Sequence, residues 1–235
     1  IAANCSGIKV KTMTVHHESV KPAGIAFFIH PFLDRIIAKL LNCIITVSRA
    51  TLQSLKESSY LLNDENININ VIHNGIEYSN QLKSSKTKIK EFKDFENKIK
   101  IGMLSRVEPY KGHSDVLEAI SKLPQSLIDK IHFIIVGNCD NNNFKILKTN
   151  IDFLNLQKTV SFFGFLENQP VEILSNFDIF ISATRTFEGF GLSLAQAISC
   201  GIPIISTNVG AIPEYLNSND FKLVNPYSSE LSEAL

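Results

Sequence analysis

The amino-acid sequence predicts an α/β protein built on parallel sheets. Short and almost wholly apolar strands, among them Ile99–Leu104, Ile131–Val136 and Ile202–Ser206, alternate with segments of helical periodicity. Strands that are apolar along their whole length are typical of parallel sheets, because helices cover both faces of such sheets. Parallel sheets bind ligands beyond the carboxyl ends of their strands, so residues that follow a strand are the first candidates for a site.

A polar stretch separates two groups of these elements. The first group comprises the predicted strands Ile8–Val15, Cys43–Val47 and Ile69–Ile72, a predicted helix over Pro31–Leu41 and a helix that Ser48 caps. Lys, Ser, Glu and Asn then dominate residues 80–100, which is typical of a surface connection. The sequence therefore predicts an N-terminal domain over residues 1–80, a linker over 81–97 and a second domain over 98–235.

The second group repeats the pattern with stronger strands. Besides the three strands named first, the predicted strands are Val160–Phe163, Asp178–Ser182 and Phe221–Val224. The predicted helices between them are Gly112–Leu123, Phe144–Leu154, Pro170–Asn176, Gly191–Cys200 and Ile212–Leu216.

Composition excludes several classes of protein. The 235 residues are 44% hydrophobic and 20% charged with zero net charge, which is ordinary globular composition and argues against a nucleic-acid partner. The sequence has neither an apolar run of about 18 residues nor a basic-then-apolar leader. The four cysteines are far apart and predict reduced thiols in a cytoplasmic protein.

Two basic residues follow the first strand of the second half. Arg106 and Lys111 stand five positions apart in a loop that enters a helix at Gly112. Arginine presents a planar fork to phosphate oxygens and lysine a mobile point charge, so the pair can hold one diphosphate without a metal ion. Taken in isolation, the same spacing is also typical of two solvated surface cations.

A second motif runs from Glu188 to Gln196. Glu188 opens a Gly-Phe-Gly turn (Gly189, Phe190, Gly191) that leads into an apolar helix, and Gln196 lies two helical turns further on. The turn exposes backbone N–H groups and the start of the helix favours an anion, which suits a sugar nucleotide. Taken alone, Glu188 could also be a carboxylate that the helix dipole stabilises. The side chain of Phe190 by itself is typical of a packing residue.

The histidines His16 and His17 end the first predicted strand. Histidines in strands are usually structural, but the carboxyl end of a strand is well placed for a ligand. The pair has neither the spacing nor the further ligands of a zinc site, so we expect no metal.

Together these motifs resemble those of the retaining family 4 glycosyltransferases, which have the GT-B fold. The family pattern is E-G-F-G, a second Glu eight residues after the first and A-x-x-C/A-G-x-P, preceded by R-x-x-x-x-K-G; here only the second Glu differs, as Gln196. The resemblance implies two Rossmann-like domains, and the early strands and acceptor loop of the N-terminal one have no counterpart in the sequence. We therefore expect the chain to be a fragment that lacks the N-terminal start.

The resemblance also implies a role for each matching residue. Arg106 and Lys111 would hold the donor diphosphate, while Glu188 and His16, the latter from the family's T-x-H-D, would act on the donor sugar as the catalytic pair. The backbone of Gly189, Phe190 and Gly191 would contact sugar and phosphate, and Gly164 and Phe165 would edge the nucleobase. Gln196 would contact the ribose with one acceptor oxygen where the family's carboxylate has two.

The implied function is transfer of a hexose from a UDP- or GDP-sugar to a saccharide or lipid-linked acceptor, with no cofactor. Synthesis of surface polysaccharide or glycolipid is the expected setting. The expected location is the cytoplasm or the inner face of the membrane, where the missing N-terminal part would make peripheral contact. Two alternatives stay open: a non-catalytic module that binds sugar nucleotides, favoured by Gln196, and a GT-B sugar-nucleotide epimerase.

Overall fold

The structure, a computed structural model, describes residues 9–19, 32–34, 36–37, 39–58, 68–76, 89–216, 221–226 and 229–235. The chain divides into two compact units. The first comprises Ile1–Gly75 together with Phe187–Phe190, and the second comprises Ile76–Thr186 and Gly191–Leu235. Residues 81–88 of the predicted linker lie outside the described part, and residues 89–97 belong to the second unit.

The first unit contains a parallel sheet. Its elements are the strands β1 (Thr12–Val15), β2 (Cys43–Thr46) and β3 (Asn68–Val71) and the helix α1 (Arg49–Ser58). The strands lie in the order β1-β2-β3, with Ile44 of β2 and Leu55 of α1 at the centre of a small core. The described residues between 32 and 40 are helical, as predicted, whereas Ile8, where the first strand was predicted to start, is not described.

The second unit contains the larger sheet. Its strands are β4 (Ile99–Leu104), β5 (Ile131–Val136), β6 (Val160–Phe162), β7 (Ile179–Ser182), β8 (Ile204–Thr207) and β9 (Lys222–Val224). Its α-helices are α2 (His113–Ser121), α3 (Gln125–Ile128), α4 (Asn141–Phe153), α5 (Pro170–Leu174), α6 (Leu192–Ser199), α7 (Ile212–Tyr215) and α8 (Glu230–Ala234). Two 3-10 helices, Lys90–Phe95 and Pro109–Lys111, precede β4 and α2 respectively.

The six strands described in the second unit are all parallel, in the order β6-β5-β4-β7-β8-β9. Counted within the unit, this order is 3-2-1-4-5-6, that of a dinucleotide-binding Rossmann sheet. From β4 the chain continues to β5 and β6 on one side of the sheet, and from β7 it continues to β8 and β9 on the other side. The carboxyl ends of β4 and β7 therefore flank the topological switch point, where open α/β sheets bind their ligands.

Two hydrophobic cores cover the two faces of this sheet. Phe133 and Ile135 of β5 pack with α2, α4 and α8, whereas Ile134 and Val136 pack with α5, α6 and α7. The alternation follows from the period of two along a strand, and it explains why β5 is buried at every position. The fold class predicted from the sequence, α/β with parallel sheets, is confirmed.

The predicted start of one helix differs from the structure because a capping residue sets it. Helix α4 begins at Asn141 rather than at Phe144, because the carboxylate of Asp140 accepts the backbone N–H of Asn143 at 2.7 Å. The short helices α3 and α8 were not predicted, whereas α5 and α7, which are equally short, were. No helix in the described part of the chain is long and apolar enough to cross a membrane.

Candidate functional site

Three successive loops at the carboxyl edge of the second sheet are tied together. The N–H of Val107, after β4, donates to the carbonyl of Asn138, after β5, at 2.8 Å. Gly137 donates to the carbonyl of Gly164, after β6, at 2.7 Å. A Cβ on Gly137 would lie 2.0 Å from the carbonyl oxygen of Ser105, so only glycine allows this approach. The bonds fix the backbone that carries three predicted site residues, Arg106, Gly164 and Phe165.

The two residues predicted to bind the diphosphate both lie close to one tyrosine side chain. The guanidinium of Arg106 lies 3.3 Å from the hydroxyl of Tyr110, and Nζ of Lys111 lies 5.2 Å from the centre of the same ring. Arg106 also forms a 2.7 Å ion pair with Glu108, in which the arginine side chain is 61% exposed. An exposed ion pair contributes about 1 kcal/mol or less, so an incoming phosphate can replace Glu108 at small cost.

The loop after β7 is held against the start of α2. Gly112 has a φ of 76°, and a Cβ there would lie 2.0 Å from the carbonyl oxygen of Ala183. The N–H of Arg185 donates to the carbonyl of Tyr110 at 2.7 Å, and its guanidinium binds both carboxylate oxygens of Asp115 at 2.6 and 2.7 Å. These contacts thus join the loops on the two sides of the switch point.

Sequence reasoning missed Arg185 and Asp115. The two residues lie 70 positions apart, and no periodicity or motif joins them. One signal was available. The 3-2-1-4-5-6 order places β7 beside β4. Once this order is known, it brings Asp115 in the first turn of α2 close to Arg185 in the loop after β7.

The remaining residues of the second unit lie at the same edge. Gly164 has a φ of 65° and open space around its Cα, and Phe165 is 69% exposed, which leaves its ring accessible to a planar ligand. Gly191, with a φ of 80°, caps α6, and Gln196 lies half-buried in the second turn of that helix. Both placements agree with the predicted helix; their roles towards a ligand stay predictions.

The first unit brings the other predicted residues to the end of β1. His16 follows β1 and is exposed, and its carbonyl oxygen lies 2.1 Å from where a Cβ of Gly189 would be. Glu188 is half-buried. The ring of Phe190 is 8% exposed and lies 5.7 Å from that of His73, so the side chain of Phe190 is a packing residue and only its backbone can serve a ligand.

A buried histidine lies beneath the basic loop. His113, the first residue of α2, is 3% exposed, and its Nε2 lies 3.4 Å from the hydroxyl of Ser105. No described group pairs with its Nδ1. Burial, helped by the charge of Lys111, lowers the pKa of His113 from 6.5 to about 4. The side chain is therefore neutral at pH 7 and adds no positive charge beside the two cations.

This pKa predicts how stability depends on pH. A histidine with a depressed folded-state pKa takes up its proton first in the unfolded chain, so stability is complete above pH 6.5 and falls as the pH drops towards 4. We expect His113 to account for a loss of about 2 kcal/mol in the free energy of unfolding between pH 7.5 and pH 5. Urea unfolding of the wild type and of His113→Gln at both pH values measures this loss of stability. An equal pH dependence of the two proteins would contradict the assignment.

Comparison with known proteins decides the family. Residues 84–235 match the family model described as glycosyl transferases group 1. The chain belongs to this family. Among the described residues of this group 1 chain, no three His, Cys, Asp or Glu side chains are grouped so that they could hold a metal ion.

Relatives and solved structures extend the likeness. The chain is 37% identical over 131 residues to the phosphatidylinositol N-acetylglucosaminyltransferase GPI3 subunit of Saccharomyces cerevisiae, covering 55% of this chain and 27% of the relative. It is 26% identical over 226 residues to the O-antigen biosynthesis glycosyltransferase WclY of Escherichia coli, covering 93% of this chain and 60% of the relative. Anabaena Alr3699/HepE in complex with UDP and glucose superposes with a TM-score of 0.75 at 22% identity, covering 99% of this chain and 63% of that one.

The matches support a common fold and cover only part of each relative. The structural neighbours share the GT-B fold, and the group 1 chain has this fold. The chain spans about a quarter of the length of the yeast relative and about three fifths of the bacterial one.

Proposed function

We propose that this protein transfers a sugar from a nucleoside-diphosphate sugar to a hydroxyl acceptor, with retention at the anomeric carbon. The observation that carries the proposal is the meeting of Arg106 and Lys111 at Tyr110, in the loop after the first strand of a 3-2-1-4-5-6 sheet. Two cations at a topological switch point suit a diphosphate. Family membership and the UDP bound to Alr3699/HepE give further support.

In the proposed reaction, the bond between the anomeric carbon and the β-phosphate oxygen breaks, and a bond to the acceptor oxygen forms on the same face. The acceptor proton passes to the departing diphosphate. Arg106 and Lys111 stabilise the charge that develops on this leaving group, which is the main electrostatic task of the transfer. The neutral state of His113 leaves that task to these two cations.

The residues at the end of β1 are proposed to bind the donor sugar. Glu188 and His16 are the proposed catalytic pair, which orients the sugar hydroxyls, and the backbone N–H groups of residues 189–191 supply further donors. Gln196 is the proposed ribose contact, while Gly164 and Phe165 are proposed to border the base. The exposed ring of Phe165 can stack on a planar base, which supports that last assignment.

The acceptor and the pathway are proposed from the relatives. WclY is named for O-antigen biosynthesis and GPI3 for N-acetylglucosaminyl transfer to phosphatidylinositol. We accordingly propose a saccharide or lipid-linked acceptor, a setting in surface polysaccharide or glycolipid synthesis, and a UDP- or GDP-linked hexose as donor. The proposed location is the cytoplasm or the cytoplasmic face of a membrane.

A second candidate is a module that binds sugar nucleotides without turning them over. Gln196 favours it, because an amide has one acceptor oxygen for the two ribose hydroxyls that a carboxylate can bind. Binding of UDP-glucose without transfer or hydrolysis, in a chain extended to the length of its relatives, would select this candidate.

Removal of either cation tests the diphosphate assignment. Arg106→Ala and Lys111→Ala should each weaken binding of UDP by about 10- to 100-fold, because each loses a charge-assisted contact of about 1.5–3 kcal/mol. Binding of uridine, which has no phosphate, should stay unchanged. Isothermal titration calorimetry with both ligands measures the difference.

Lys122→Ala is the matched control for this experiment. Lys122 is an exposed lysine at the far end of α2, paired with Glu118, so its loss removes the same charge away from the switch point. Equal losses of affinity for UDP and uridine, or an equal effect of the control, would refute the assignment.

A further inference from the structure

Two buried hydroxyls join α1 to the Glu188–Gly191 turn. The hydroxyls of Ser48 and Thr51 lie 2.7 Å apart, and the hydroxyl of Thr51 donates to the carbonyl oxygen of Gly189 at 3.3 Å. The N–H of Thr51 donates to Oγ of Ser48 at 3.0 Å, which makes Ser48 the cap of α1. Ser48 and Thr51 are fully buried, and all three residues belong to the first unit.

The direction of each bond in this chain of hydroxyls is fixed. A carbonyl oxygen can only accept, so the single hydroxyl proton of Thr51 goes to Gly189. The proton shared between the two hydroxyls must then come from Ser48. Each oxygen thus has its donor and its acceptor, and replacing Thr51 by an apolar residue would leave the carbonyl of Gly189 without this bond in a water-free place.

The same turn also lies against the end of β1. A Cβ on Gly189 would lie 2.1 Å from the carbonyl oxygen of His16, so the turn packs directly on the backbone at the end of β1. The ring of Phe190 packs near that of His73. Rotation of the Gly189–Phe190 peptide would therefore break the bond to Thr51.

We propose that Thr51 is a positioning residue that sets the direction of the Phe190 N–H towards the donor sugar. In a trans peptide the carbonyl and the following N–H point in opposite directions, and the Gly189–Phe190 peptide is trans. Holding the carbonyl of Gly189 on Thr51 therefore turns the N–H of Phe190 away from the buried hydroxyls. The inference rests on the proposed function, in which backbone donors of residues 189–191 serve the sugar and its phosphate.

Hydrogen exchange tests the geometry without any ligand. Thr51→Val keeps the shape of the side chain and removes the hydroxyl, so exchange of the amides in a peptide covering residues 187–191 should rise about tenfold. Thr51→Ser keeps the hydroxyl and should stay within about twofold of wild type. The amides of β5 serve as the internal reference, and Thr51→Ala must reproduce the result of Thr51→Val.

Calorimetry with UDP and UDP-glucose tests the consequence. Thr51→Val should weaken binding of UDP-glucose about tenfold and leave UDP within about twofold, since only the sugar-side donor is misdirected. If the wild type binds neither nucleotide, the proposed function is wrong. Hydrogen exchange still shows whether Thr51 fixes the backbone of residues 187–191. Equal exchange in the Val and Ser variants, or equal losses for the two ligands, would overturn the proposal.

Discussion

Gly112→Ala is expected to lower the free energy of unfolding by about 3 kcal/mol, from left-handed backbone strain and from overpacking. The φ of Gly112 is 76°, and its new Cβ would lie 2.0 Å from the carbonyl oxygen of Ala183 and 3.0 Å from the Cβ of that residue. A backbone oxygen at the end of β7 cannot swing aside as a flexible side chain can. The start of α2 would have to move instead.

This movement should also reach the proposed diphosphate site. Lys111 directly precedes Gly112, and the N–H of Gly112 donates to the carbonyl of Pro109 at 3.4 Å. We expect binding of UDP to weaken at least tenfold while the first unit keeps its structure. Chemical denaturation and calorimetry on the same protein measure the two effects.

Gly201→Ala is the matched control for this substitution. Gly201 has a φ of 67°, close to that of Gly112, but nothing lies within 4 Å of where its Cβ would be. Its cost should be the backbone strain alone, about 1 kcal/mol, with no change in binding. Equal costs at the two glycines would show that the close approach to Ala183 does not matter.

Arg185→Ala is expected to have an effect of similar size, a loss of about 3 kcal/mol in the free energy of unfolding. Asp115 would keep a carboxylate that is 21% exposed and has lost both bonds of its fork. Breaking a buried pair costs about 3–5 kcal/mol, and partial exposure of this pair places it at the lower end of that range. The loop after β7 would also lose a tether to α2.

A double-mutant cycle with Asp115→Ala isolates the interaction. The double variant should lose less stability than the two single variants together, with a coupling of about 1–3 kcal/mol. Lys122→Ala breaks an exposed pair on the same helix and should cost about 0.5 kcal/mol or less. Additive losses in the cycle would mean that Arg185 and Asp115 act independently.

Local patterns in the sequence were enough to predict much of the fold. The strands of the second unit were predicted close to their observed positions, since β4 and β5 are apolar at every buried position except His132 and the glycines and prolines between elements stop the helices. The order of elements implied parallel sheets, because each strand is followed by a helix. The helix ends were less predictable, as Asp140 shows, because a cap is a single hydrogen bond that leaves no period.

The sequence by itself determined which residues follow which strands, and hence that Arg106, Lys111 and Gly112 lie at the carboxyl end of β4. Only the tertiary structure decided which distant residues pair: Arg185 with Asp115, and Thr51 with Gly189. The reason is physical. Strand and helix periods are properties of neighbouring residues, whereas these two contacts join positions 70 and 138 residues apart, which meet only when the chain is folded.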